Sequence, residues 1–146
     1  MVLELYVCLE YNLPTCMKKL NILYWTTTGL FALFMGMTGV QNLLVTQGSI
    51  DLITTDLHYP LYIIPFLGAA KLMGVIGILA PISPRLKEWA YAGLFFDLIG
   101  AMYSGIADNG FDPMMLTMIL PFAIMGLSYG AYHRRLQLKG QESVRS

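Results

Sequence analysis

Charge is scarce in this sequence. Asp, Glu, Lys and Arg make up 12% of its 146 residues, about half the roughly 25% of a soluble domain. Cysteine and histidine are scarcer still, at two each. Cys8 and Cys16 have seven residues between them and stand ahead of every apolar run. They form no CxxC and lie near no span end, which argues against a dithiol relay. His58 and His133 fall on opposite sides of the membrane in the topology below, which excludes a bis-histidine haem or a di-metal centre within one chain. There is no glycine-rich phosphate loop and no GxSxG. Ser104 has no histidine base in its stripe, so nucleophilic catalysis has little support. No complete catalytic, metal or haem constellation is present, and the expectation leans away from an enzyme. The formal net charge is zero, and no basic stripe points to a nucleic-acid partner.

What the sequence has instead is apolar length. Residues 22–45, 61–80, 89–107 and 114–132 form four runs, each close to the ~20 residues that cross a ~30 Å hydrocarbon core as a helix. A soluble bundle would need a polar outer face on each helix, and these runs have almost none. The expectation is an all-α fold: a bundle of four transmembrane helices in a lipid bilayer.

The few charges are sorted. Lys18 and Lys19 precede the first run, Arg85 and Lys87 lie between the second and third, and Arg134, Arg135, Lys139 and Arg145 follow the fourth. The other two connections contain no Lys or Arg and hold Asp51, Asp56, Asp108 and Asp112. By the positive-inside rule both termini and the central connection are cytoplasmic. Residues 1–16 do not fit this plan and read as a disordered tail or a misassigned start ahead of Met17. Residues 134–146 read as a polar cytoplasmic tail.

Small residues mark the faces that pack. In the first run Thr28, Ala32, Gly36 and Gly39 share one face, the arrangement that lets helices approach closely in lipid. Gln41 and Asn42 near its outer end are candidate lining for a vestibule, although polar residues are expected at an interface in any case. The outer connection, 46–58, brings Asp56 near His58, but two ligands are too few for a metal site. Tyr59 and Tyr62 suit an interfacial belt. Pro65 and Pro121 are candidate helix kinks.

Two charges stand inside the runs. Lys71 emerges between Gly68 and Gly74 in the second, ten residues before Pro81, or ~15 Å above the cytoplasmic end. Asp97 lies on a stripe with Ala90, Gly93, Gly100 or Ala101, and Ser104, eight residues past Trp89, or ~12 Å from the same end. Antiparallel helices with a short connection bring the two to nearly one depth, as an ion pair. Each charge costs roughly 2.5–3.5 kcal/mol at mid-membrane on insertion scales. One reading makes the pair a register lock. The other makes it a ligand-binding or proton-handling site, with Ser104, Asn42 and Gln41 as outer lining, and small-residue packing already supplies register without it.

Over 24–133 the chain resembles the DoxX-like family of small four-helix membrane proteins. The resemblance rests on Tyr24-Trp25, Thr28-Gly29-Leu30, Tyr59-Pro60 and Gly68-Ala69-Ala70-Lys71-Leu72-Met73-Gly74, and most of all on 86–101, Leu86-Lys87-Glu88-Trp89-Ala90-Tyr91-Ala92-Gly93-Leu94-Phe95-Phe96-Asp97-Leu98-Ile99-Gly100-Ala101. It implies a bundle in a bacterial cytoplasmic (inner) membrane. Better-known relatives are similar to subunits of membrane oxidoreductase systems, one of which passes electrons from thiosulfate to quinone. The resemblance therefore implies a membrane or redox partner and, as the one cofactor to weigh, a quinone. Many members place Ser-His where Ser104-Gly105 stands here, so this chain lacks that polar group.

Overall fold

The computed structural model of the chain describes residues 13–81, 83–109 and 117–145. Among them all regular structure is helical: α1 (Leu13–Leu43), the single turn α2 (Gln47–Ile50) continued by a π-helical turn (Asp51–Asp56), α3 (Ile63–Leu79), α4 (Pro84–Asn109) and α5 (Ile119–Arg145). Both cysteines and residues 1–12 lie outside what the structure describes, apart from the backbone at Cys16, which belongs to α1. The expectation for 1–16 thus falls largely outside the described residues. So do the first residues of the run expected at 114–132.

The helix ends follow from the prolines. Pro65 and Pro121 each fall within the first three residues of α3 and α5, where a missing N–H leaves no hydrogen bond unmade. Pro65 and Pro121 therefore start helices and kink none, contrary to the expectation from spacing. Pro84 opens α4 in the same way.

Successive long helices run antiparallel, as their contacts show. Residues near 39–43 of α1 meet Gly68 of α3, while Gly74 and Gly77 of α3 meet Leu94 and Ala90 of α4 in reverse order. Phe95 stacks on Phe122 and Tyr91 on Tyr129 across α4 and α5, and Thr28 meets Ser128 across α1 and α5. One core takes Phe31 and Met35 from α1, Val75 and Ile78 from α3, Leu94 and Leu98 from α4, and Met125 from α5.

The closest seam is α1 against α3. A side chain at Gly68 would run into the backbone of α1 at Leu43 and Gly39, so only glycine permits this approach. The seam sets where Lys71, one turn further on, is presented.

Two helices, Met17–Leu43 and Pro84–Ala107, are long and apolar enough to cross a membrane, and only 28% and 17% of their most apolar windows are buried. The core helix of a soluble protein would be mostly buried. Here Leu33, Phe66, Met73, Ile76 and Leu127 all point outward, as lipid-facing residues do. The third apolar helix, Ile63–Leu79, is shorter, at 17 residues and thus ~26 Å.

Candidate functional site

Lys71 and Asp97 meet. Lys71 Nζ lies 3.5 Å from Asp97 Oδ2, and the side chains keep 15% and 16% of their exposure. The lysine stem lies against α1 at Gly39, where an added Cβ would come within 3.2 Å of the Lys71 Cβ. The separation exceeds the ~2.7–2.9 Å of a tight charge-assisted hydrogen bond. Among the described residues neither group has a further hydrogen-bond partner, so most of the donors on the ammonium and the acceptor positions on the carboxylate remain free.

What they face is a cavity of about 370 Å³, lined by Lys71, Asp97, Ser104, Asn42 and Gln41 together. The structure thus brings all five sequence-derived candidates into one space. Its walls are apolar, with Phe34 and Met35 from α1, Leu67 from α3 and Phe96 and Leu98 from α4. Near the rim the Tyr59 and Ser104 hydroxyls are 2.9 Å apart, ~10 Å along α4 from Asp97. The segment 46–57 closes over the space with Gly48, Ser49, Leu52, Ile53 and Leu57. What reads as an outer loop is therefore a folded cover, bounded by two residues in the left-handed region, Val45 at φ 50° and His58 at φ 55°. Both sit where the backbone reverses, and at a β-branched valine this conformation is strained.

A second polar cluster lies deeper, across the apolar core. The Ser128 hydroxyl sits 2.6 Å from Thr28 Oγ1 and 2.7 Å from Tyr91 Oη, and all three groups are buried. Beyond it, at the end that carries the basic residues, Lys87 Nζ donates to Tyr24 Oη at 3.1 Å, and His133 Nε2 is 3.8 Å from Glu88 Oε1. His133 thus stands at the end opposite His58. Sequence reasoning singled out neither Ser128 nor the Tyr59 hydroxyl. The usable signal was weak: a serine between the small residues Gly126 and Gly130 of α5, and a tyrosine that closes the outer connection. Among the described residues no three His, Cys, Asp or Glu side chains converge as a metal site would require.

A sequence model of the DoxX-like family matches residues 26–129. The chain belongs to the DoxX-like family. The matched segment of this DoxX-like protein contains every residue that lines the cavity, including Lys71 and Asp97. Membership and the apolar helices together point to a membrane protein. No curated relative and no solved structure matches the chain.

Proposed function

We propose that this protein spans a bacterial cytoplasmic membrane four times, with both termini inside, and that it binds or passes a small amphipathic ligand in the cavity floored by Lys71 and Asp97. The basic residues at one end and the aspartates of the outer connection support that orientation by the positive-inside rule. The α3 helix, at 17 residues, can span with modest bilayer adjustment, and α5 contributes the apolar stretch from Ile119 to Tyr132 ahead of its polar end.

One observation carries the ligand reading. The ion pair is neither sealed nor saturated, and its free hydrogen-bonding capacity opens into an apolar space that falls in the size range of small-molecule sites. A pure register lock would gain nothing from that opening, and each unneeded charge costs several kcal/mol in such surroundings. The pair is neutral as a unit, so it suits a neutral head group that accepts from Lys71 and donates to Asp97. Apolar walls suit an attached hydrocarbon or ring.

A second reading makes the protein a non-catalytic subunit of a quinone-linked oxidoreductase system, with the redox centre on a partner. It is supported by a lone ammonium donor beside the aromatic walls Phe34 and Phe96, where a quinone carbonyl could accept from Lys71. Organic extraction of the protein purified in mild detergent separates the readings. A bound amphiphile without quinone absorbance supports the first, and quinone at near-stoichiometric yield supports the second. A ligand-free protein that also binds no added quinone contradicts both and leaves the pair a structural lock.

A further inference from the structure

At the basic end three helices meet over one ring. Tyr24 of α1 and Tyr132 of α5 are almost fully buried, so both rings are fixed. The Lys87 ammonium lies 5.7 Å from the centre of the Tyr24 ring and 5.5 Å from that of Tyr132. The Arg135 guanidinium lies 5.3 Å from the same Tyr24 ring. The Arg135 distance falls inside the ~6 Å reach of a cation–π contact, while Lys87 approaches Tyr24 at its hydroxyl edge.

Two cations are therefore gathered around one tyrosine, Lys87 at its hydroxyl and Arg135 at its ring. Among the described residues neither has a carboxylate within ion-pairing distance. The carboxylate next in sequence, Glu88, is turned toward His133. The ring quadrupole and one hydroxyl offset only part of the charge. Lys87 spends one N–H on Tyr24 and keeps two donors, while Arg135 offers its planar fork of five.

We propose that Lys87, Arg135 and Tyr24 form a binding site for a phosphate group. Phosphate matches the donors in acceptor number, with Arg135 bidentate and Lys87 as a point charge. The group can come from an anionic lipid or from free phosphate. The lipid source rests on the four-span reading, which puts this end at head-group level beside an aromatic belt. The site itself does not rest on it, nor on the ligand cavity at the far side of the core. Tyr24, Tyr132 and Arg135 also lie outside the segment matched to the family.

The test uses the full chain in dodecyl maltoside micelles, titrated with dioleoyl phosphatidylglycerol, dioleoyl phosphatidylcholine or inorganic phosphate while the thermal midpoint is followed. The wild type is expected to bind phosphatidylglycerol saturably and at least about tenfold more tightly than phosphatidylcholine. Arg135→Gln and Lys87→Gln should each weaken that binding by about fivefold, the effect of one cation at a lipid surface. Arg85→Gln and Lys19→Gln, which remove exposed cations from the same end, should change it less than twofold. If Lys87→Gln fails to fold, Arg135→Gln carries the test. A midpoint shift with inorganic phosphate that also displaces the lipid supports the site with free phosphate as occupant, and a response to phosphatidylglycerol alone supports the lipid. Loss in Arg85→Gln or Lys19→Gln equal to that in Arg135→Gln would overturn the site in favour of diffuse surface attraction. So would a wild type that responds to neither probe.

Discussion

Gly68→Ala tests the packing that presents Lys71. A Cβ at this position would press on the backbone nitrogen of Leu43 and come within 2.7 Å of the Gly39 carbonyl oxygen and 2.9 Å of the Leu43 Cα. Ordinary contact needs about 3.5–4.0 Å, and backbone atoms of a helix cannot swing aside. The seam between α1 and α3 must part by roughly 1 Å, a gap that forfeits up to about half of each dispersion contact along it. Overpacking of this kind costs about 1–3 kcal/mol, against which alanine returns roughly 0.5–1 kcal/mol over glycine within a helix. The net loss is about 1–2 kcal/mol. Gly36→Ala on α1 is the control, since nothing lies within 4 Å of its added Cβ and only the propensity gain remains. Thermal unfolding of the two variants in one detergent should differ by roughly 5 °C or more, with Gly68→Ala the less stable. Equal midpoints, or a more stable Gly68→Ala, would refute the close approach.

Three further outcomes follow from named contacts. Ser128→Ala removes the hydroxyl shared by Thr28 and Tyr91 and should cost about 2–3 kcal/mol in denaturant unfolding, because two buried groups lose their partner; Tyr91→Phe, which leaves Thr28 paired, should cost about 1 kcal/mol. Val45→Gly relieves a valine at φ 50° and should stabilise by about 1 kcal/mol, so an unchanged or lower midpoint would show that the valine is not strained. In a background with Cys8 and Cys16 replaced by serine, a cysteine at Ser83 should react with an impermeant maleimide only in inside-out vesicles and one at Gln47 only from outside. The reverse pattern would overturn the orientation.

Much of the site was legible because helices carry distance in sequence. Ten residues from Pro81 to Lys71 and eight from Trp89 to Asp97 put both charges at one depth, and they lie 3.5 Å apart. The glycines on either side of Lys71 were equally readable as a packing face, though not which neighbour each would meet: Gly68 meets α1, while Gly74 and Gly77 meet α4. Other parts were not readable. Segment 46–57 has no helical period, and its role as cover depends on backbone reversals at Val45 and His58, two residues that rarely adopt them. The Thr28–Ser128–Tyr91 cluster joins residues 100 and 37 positions apart, and only the tertiary packing of three helices brings them together. The prolines misled for a related reason. Inside an apolar run they look like kinks, but where a helix begins depends on its neighbours as much as on its own sequence.

The most direct measurement is a charge series at positions 71 and 97: Lys71→Met, Asp97→Asn, the double neutral variant and the reversed pair, each followed for thermal stability and for ligand recovered on extraction. A ligand site predicts that the double variant folds about as well as the wild type, because no charge is left unpaired, yet loses its ligand. A double variant that folds and keeps the same ligand at the same yield would contradict it. In that case Lys71 and Asp97 hold helices together and nothing more.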